Sequence, residues 1–141
     1  MNAKEETQSI PIDDPRFQAM LAALEDAEGT ASLRSYNEVL LLIGTMVARL
    51  LVRQNQTYFL GRFPQANQDE FDLNPYGALQ HGVSRVHAKL LMINDQLYVV
   101  DLNSTNGTYL HRRRLQPNEP SLLKKGDELL LARMRMQIMF R

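Results

Sequence analysis

The feature that most constrains the fold of this chain is a series of short apolar runs, separated by turn signals, from about Tyr36 onwards. The last run, "MRMQIMFR", alternates, with Met134, Met136, Ile138 and Phe140 on one face and mostly polar residues on the other. A period of two is typical of a half-buried β-strand. Many short strands without a helical pattern predict an all-β sandwich or barrel.

The other runs support this prediction. "EVLLLIG" and "MVARLLVRQ" are short and rich in leucine and β-branched residues, and "NQ" can turn the chain into "TYFLGR". "AKLLMI", "NDQ" and "LYVVDL" read as a hairpin, and "KKGDE" reads as a turn between "PSLL" and "LLLA". Residues 63–83 are predicted to be mostly loop, and a loop of this length in a compact domain is usually functional or mobile.

Composition excludes several classes of protein. The 141 residues are 44% hydrophobic and 23% charged, a globular mixture that is long enough to bury a core. Cysteine is absent, which suits a reducing compartment and excludes disulfides, thiolate metal sites and a cysteine nucleophile. The three histidines have no metal-ligand spacing. We therefore expect neither a metal nor a cofactor.

The chain has no segment that predicts membrane insertion. Its start, "MNAKEETQSIPIDD", is polar and acidic, unlike a signal peptide. Its longest apolar run, "VLLLIGTMVARLLV", has 14 residues and contains Arg49, so it is too short to span a bilayer. We expect a cytoplasmic protein that does not bind membranes.

Charge divides the chain into two parts. Residues 1–28 hold seven acidic and two basic side chains, a net charge of −5, and the remainder holds 14 basic and 9 acidic ones, a net charge of +5. We expect an acidic arm at 1–35 and a domain at 36–141. An acidic arm beside a basic body suggests an anionic ligand or an arm that lies on the body, and two independently soluble surfaces are an equal alternative.

Within the arm, residues 15–28 are predicted to form a helix. Asp14 can cap it, Pro15 suits its first position, and Gly29 can end it. The apolar residues with helical spacing are Phe17, Met20, Leu21 and Leu24. This face either packs on the edge of the sandwich, which we favour, or serves for docking or dimerisation.

Polar clusters follow three predicted strand ends: "GR" at 61–62, "SRVH" at 84–87 and "STNG" at 104–107. Binding residues usually sit in such loops. The clusters offer guanidinium groups, hydroxyls and an amide, which suit a phosphate dianion because arginine presents a planar fork of donors. We interpret the extra polar residues of "NSTNG" as ligand contacts, with Gly107 permitting the turn.

Four motifs, "LGR", "VSRVHAKL", "DLNSTNGTYL" and "LKKGDELLLA", resemble in order and spacing those of a forkhead-associated (FHA) domain over about residues 36–141. The resemblance implies an FHA-type sandwich of about eleven strands that binds phosphothreonine peptides through loops at one end. It also implies an adaptor without catalytic activity, which acts downstream of a Ser/Thr kinase and binds a threonine-phosphorylated protein.

The resemblance assigns roles to five residues of the binding site. Arg62 resembles the arginine that pairs with the phosphate, and Ser84 the hydroxyl that hydrogen-bonds it. Arg85 would add charge or a second contact, and Thr105 would contact the phosphate from the neighbouring loop. Asn106 resembles the asparagine that holds the peptide main chain.

Three further residues would support the site, and three features depart from the family pattern, the first being the long segment between Arg62 and Ser84. His87 would brace the loops, and Gly61 and Gly107 would set backbone geometry. The turn "HRRR" stands where the family often has Asn-Gly, and Ala132 stands where glycine is common.

Several alternatives compete with this interpretation. A catalytic triad of Ser84, His87 and Asp101 is disfavoured, because Ser84 and His87 would point to opposite faces of a strand. "HRRRL" can form a nucleic-acid patch, which we rank second, or favour acidic residues near the phosphothreonine.

An FHA fold that binds its partner without phosphate, with the arm helix docking or dimerising, is the alternative function. Thr7, which follows two acidic residues, is a candidate regulatory phosphosite that would occupy the pocket in cis or link two copies.

Overall fold

The computed structural model describes residues 8–26 and 36–140 of the chain. Its elements in chain order are β1 (Gln8–Pro11), α1 (Pro15–Asp26), β2 (Tyr36–Ile43), β3 (Met46–Arg53), β4 (Thr57–Gly61), β5 (Glu70–Asp72), a 3-10 turn (Asn74–Tyr76), β6 (Val86–Ile93), β7 (Gln96–Asp101), β8 (Thr108–Leu110), β9 (Arg113–Arg114), β10 (Ser121–Leu122), β11 (Glu128–Leu131) and β12 (Met134–Phe140).

The strands form two sheets. One has seven strands in the order β1-β3-β2-β12-β11-β8-β9, and the other has five in the order β10-β7-β6-β4-β5. β4 and β5 pair in parallel, and the other neighbouring strands of the described part pair antiparallel. The eleven strands β2 to β12 lie in the predicted domain. The prediction of an all-β sandwich of about eleven strands is therefore confirmed.

The main core lies between the two sheets, and β12 shows why. Met134, Met136, Ile138 and Phe140 are buried, and Arg135 between them is exposed, as the alternation predicted. Each large apolar side chain that is fully buried in this way stabilises the fold by about 1.5–3 kcal/mol. Among the largest of these side chains are Leu41, Leu50, Leu60, Leu73, Leu90, Met92, Leu97, Leu129 and Leu131.

The arm helix begins where its sequence predicted. Pro15 is its first residue, and the Asp14 carboxylate accepts the backbone N–H of Arg16 at 2.9 Å, as a capping residue does. Hydrogen bonds from the guanidinium and the backbone N–H of Arg16 lower the pKa of Asp14 to about 2. The helix reaches Asp26, and the two remaining predicted positions lie outside the described residues.

The apolar face of α1 packs on the domain, as we favoured, but it lies on the outer face of the seven-stranded sheet and not at the sandwich edge. Phe17 is buried there, while the side chain of Leu24 lies outside the described part. This second apolar cluster consists of Ile10, Phe17, Leu40 and Val47, with Met20, Leu21, Leu42 and Met139 packed against it.

Among the strands that were not predicted, β1 and β5 are short segments with weak sequence signals. β1 pairs with β3, with Gln8 opposite Arg49 and Pro11 opposite Met46. Its proline is compatible with an edge strand but removes the usual strand signature. β5, three residues inside the predicted loop 63–83, pairs with β4. β1 joins the arm to the sheet of the domain.

Candidate functional site

Three loops meet at one end of the sandwich. They connect β4 to β5, β5 to β6, and β7 to β8. The Arg62 N–H donates to the Arg85 carbonyl at 2.8 Å, and the Thr105 N–H donates to Ser84 Oγ at 3.0 Å. The Asn106 side-chain amide donates to the Gly82 carbonyl at 3.0 Å. The fold therefore brings together the five residues that the sequence assigned to peptide binding.

Arg62 is half-buried and oriented by its loop neighbour. Its Nε donates to the Val83 carbonyl at 2.9 Å, which fixes the plane of the guanidinium. Within the described part of the chain, the four N–H groups of the two Nη atoms have no hydrogen-bond partner among the contacts found. An arginine has five N–H donors, so the remaining four are available to an anion.

Gly61 is required because two backbones touch at this point. A Cβ at Gly61 would lie 2.1 Å from the Arg85 carbonyl oxygen, far inside van der Waals contact. The register of β4 on β6 shifts between Leu60 and Gly61, as in a β-bulge. This close approach lets Arg62 leave the sheet directly beside Arg85, whose own side chain is exposed.

Ser84 links the loops and keeps a free donor. Its Oγ accepts the Thr105 N–H, so its hydroxyl hydrogen can be donated to a ligand. Thr105 is exposed next to it. Asn106 uses one side-chain N–H on Gly82, which leaves its carbonyl and its second N–H for a peptide main chain.

His87 lies fully buried between two of the loops. Its Nδ1 accepts the Ser84 N–H at 2.9 Å, so Nε2 carries the proton and donates to the Gly107 carbonyl at 2.9 Å. Burial lowers the pKa of His87, against the opposing effects of the Gly107 carbonyl and the Asp101 charge. The neutral imidazole thus joins the loop of Ser84 to the loop of Thr105.

The same contacts exclude a serine–histidine nucleophile in this geometry. The group of Ser84 that bonds His87 is the backbone N–H and not Oγ, and His87 Nε2 bonds Gly107 and not Asp101. Ser84 precedes β6, so the reason is this bonding pattern and not the opposite strand faces that we expected.

Asp101 organises the β7–β8 loop, a role that the sequence analysis missed. Its Oδ1 accepts the hydroxyls of Ser104 and Thr108, each at 2.6 Å. The buried Ser104 Oγ in turn accepts the Gly107 N–H at 3.0 Å. The interpretation of all of "NSTNG" as ligand contacts is therefore wrong for Ser104, which bonds inside its own loop. An aspartate three residues before a serine, at a strand end, was the available signal.

The four residues of "HRRR" lie near opposite ends of the short strand β11. Arg114 lies against Gly107, where a Cβ would come within 2.7 Å of its Nε. His111 instead lies 3.2 Å from Asp127, at the opposite end of β11. Arg112 follows His111 in that distal turn. Arg114 is therefore the member of this cluster that lies beside Gly107. The interpretation that these arginines favour acidic residues near a phosphothreonine stays a prediction.

Two properties of the described residues bear on other classes of site. In 8–26 and 36–140, no group of three or more His, Asp or Glu side chains lies close enough together to hold a metal ion. No helix in that same part of the chain is long and apolar enough to cross a membrane.

The FHA domain family model matches residues 58–132, which is 75 of the 141 residues, and the chain therefore belongs to the FHA domain family. The human nuclear inhibitor of protein phosphatase 1 is 32% identical over 77 residues, which cover 53% of this chain and 20% of that protein. The oxoglutarate dehydrogenase inhibitor of Corynebacterium jeikeium is 43% identical over 54 residues, which cover 38% of this chain and 35% of that protein. The matches thus span about a fifth to a third of these relatives.

Solved FHA structures match about three quarters of this chain. The MEK1 FHA domain in complex with a HOP1 phosphothreonine peptide is 26% identical, with a TM-score of 0.55 over 73% of this chain and 96% of that chain. An FHA domain with phosphothreonine-dependent interactions is 23% identical, with a TM-score of 0.55 over 74% of this chain and 97% of that chain. These likenesses confirm the FHA fold.

Proposed function

We propose that this chain is a phosphothreonine-peptide-binding adaptor that acts downstream of a Ser/Thr kinase. The observation that carries the proposal is the set of free donors at one end of an FHA sandwich. Arg62 has four unused N–H groups, Ser84 has a free hydroxyl hydrogen, and Thr105 lies exposed beside it. Charge-assisted hydrogen bonds from such donors are the strong ones, and they suit a phosphate dianion.

The remaining site residues serve the peptide and the geometry. Asn106 holds the peptide main chain, and Arg85 adds positive charge from the rim. Gly61, His87 and Gly107 hold the loops in position and contact no ligand. The chain catalyses no reaction, works in the cytoplasm, and has a threonine-phosphorylated protein as its partner.

The alternative is an FHA fold that binds without phosphate, with the arm helix as the docking or dimerising element. Phe17, Met20 and Leu21 of that helix already pack on the seven-stranded sheet. A partner would have to displace them, and burying a side chain such as Phe17 contributes about 1.5–3 kcal/mol. This occupied face favours the phosphate-dependent function.

A degenerate library of peptides around a fixed phosphothreonine tests the proposal. We expect selective retention of the phosphothreonine pool over the unphosphorylated pool. A phosphoserine pool should bind more weakly, because it lacks a methyl group whose burial is worth on the order of 1 kcal/mol. Equal retention of phosphorylated and unphosphorylated pools would support the phosphate-independent alternative.

A further inference from the structure

The arm contacts the loop that carries Ser84. Ser9, on β1, is hydrogen-bonded through its hydroxyl to the hydroxyl of Tyr76. Ser9 lies opposite Ala48 in the β1–β3 pair, and Tyr76 ends the 3-10 turn in the β5–β6 loop. This contact joins two segments that are 67 positions apart in sequence.

Tyr76 is a firm anchor for that contact. Its ring packs against the main core, and its centroid lies 5.8 Å from that of Phe71. Burial raises the pKa of Tyr76, although the bond to Ser9 opposes the rise, so the phenol stays protonated and can donate. Its backbone N–H donates to the Leu73 carbonyl at 3.0 Å. The ring and backbone of Tyr76 are held by the core, and its hydroxyl reaches the arm.

Backbone hydrogen bonds hold the segment that lies between Tyr76 and the binding site. The His81 N–H donates to the Gly77 carbonyl at 3.1 Å, and the Val83 N–H donates to the Ala78 carbonyl at 2.9 Å. The segment ends at Gly82 and Val83, whose carbonyls face the binding site. They accept Asn106 and Arg62 respectively, so the segment that starts beside Tyr76 orients both side chains.

The arm is well placed to support this loop. Ile10 is buried on one side of Ser9, and the Ile12 N–H donates to the Thr45 carbonyl at 2.6 Å. A groove of 860 Å³ has Ile12 and Thr45 in its lining together with Tyr76 and His81. The groove leaves the arm-facing side of Tyr76 and His81 open, so on this side the Ser9 contact supports the loop from the arm.

We propose that the arm, residues 8–26, is a positioning element of the phosphothreonine site, with Ser9 and Tyr76 as the positioning residues that connect β1 to the β5–β6 loop. The inference rests on the proposed function and extends it to a segment outside the matched residues 58–132. Release of β1 from β3 then weakens peptide binding without any change in a residue that contacts phosphate.

Two single substitutions in the 141-residue chain test the proposal, Ser9→Ala and Tyr76→Phe. In the peptide-free protein, each should speed backbone hydrogen exchange in residues 77–84. Each should also weaken binding of the phosphothreonine peptide pool by about three- to tenfold, as expected for loss of one hydrogen bond. The double variant should bind no more weakly than either single variant, because both substitutions remove the same contact.

Matched controls come from the other sheet. Ser121→Ala on β10 and Tyr98→Phe on β7 make the same chemical changes away from the loop. They should change neither the hydrogen exchange in residues 77–84 nor the affinity for the peptide pool. Ser9→Thr keeps the hydroxyl. It should therefore show the hydrogen exchange in residues 77–84 and the peptide affinity of the unmodified protein.

Unchanged exchange at 77–84 in both variants would overturn the proposal, and so would faster exchange with unchanged affinity. If the unmodified protein retains no phosphothreonine peptide, the proposed function fails and the positioning role fails with it. The exchange data then still show whether Ser9 and Tyr76 hold the loop.

Discussion

At the scale of single residues, His87 connects the chemistry of the site to its stability. It is the buried residue through which the Ser84 and Thr105 loops share hydrogen bonds, and only its neutral form can accept the Ser84 N–H at Nδ1. Protonation would turn Nδ1 into a donor that faces another donor. The arrangement therefore depends on a neutral imidazole.

The lowered pKa of His87 predicts the sign of a pH effect. The ordinary value is 6.5, so below this pH the unfolded chain takes up a proton that the folded protein resists. The contribution of His87 to stability is complete above 6.5 and is lost as the pH falls from 6.5 towards the lowered value, by at most about 1.4 kcal/mol per pH unit for one proton.

Urea unfolding at a series of pH values, combined with an NMR titration of the ring, measures this effect. His87→Gln should flatten the dependence of stability on pH below 6.5. A His87 ring that titrates at or above 6.5 would contradict the account.

A second prediction concerns the β8–β9 turn, where the sequence departs from the Asn-Gly that the family often has. His111 and Arg112 have φ values of +53° and +65°, the left-handed conformation of a type I′ turn. This conformation disfavours residues with a Cβ. Arg112→Gly should therefore raise the free energy of unfolding by about 1 kcal/mol.

Arg113→Gly is the matched control, because it makes the same change one residue later, in strand β9. Glycine weakens a strand, so the control should lower stability. Equal effects of the two substitutions in urea unfolding would refute the turn argument.

Residue identity predicted which side chains the fold brings together at one end of the sandwich, but not how they bond to one another. The sequence proposed Arg62, Ser84, Thr105 and Asn106 as binding residues because guanidinium, hydroxyl and amide groups follow strand ends, and their binding roles stay predictions. Ser104 was misassigned, since a serine that accepts and donates inside a loop has the same local sequence as one that contacts a ligand. Only its burial beside Asp101 separates the two uses.

At the scale of elements, long alternating runs were predictable and short edge strands were not. β6 and β12 carry their own periodicity over eight and seven residues. β1 and β5 have four and three residues, and they form because β3 and β4 offer them edges. That information lies in the neighbouring strand, so no pattern inside "QSIP" or "EFD" could supply it.

The pairing of β1 also sharpens the prediction for Thr7, which lies outside the described residues. A phosphorylated Thr7 presents Gln8, Ser9 and Ile10 as the following ligand residues, and these now pair with β3. Entry into a site, in cis or in a second copy, therefore requires β1 to leave β3.

We expect phosphorylation of Thr7 to shift the NMR resonances of Arg62, Ser84 and Thr105 and, together with this, to speed amide exchange at Ile10. A doubled mass would indicate binding between two copies. Unshifted resonances with an unchanged mass would show that the arm is not a ligand.

At the scale of the whole molecule, the described part of the arm lies on the body, one of the arrangements that its charge suggested. The positive charge of the body is spread over both ends. Arg62, Arg85 and Arg114 lie at the loop end, while Arg112 lies in the distal turn. The charge balance predicted an anionic ligand. The fold determines which arginine side chains lie close enough together to bind the same anion.

The central claim is that Arg62 pairs with the phosphate of a phosphothreonine peptide. Calorimetry on Arg62→Ala, with peptides selected from the phosphothreonine library, tests it most directly, with the exposed Arg113→Ala as a matched loss of charge. The account predicts a loss of about 1.5–3 kcal/mol of binding for Arg62→Ala and little change for the control. Fold stability should fall by only about 1 kcal/mol, for the lost bond to Val83. Unchanged phosphopeptide affinity in a folded Arg62→Ala protein would contradict the account.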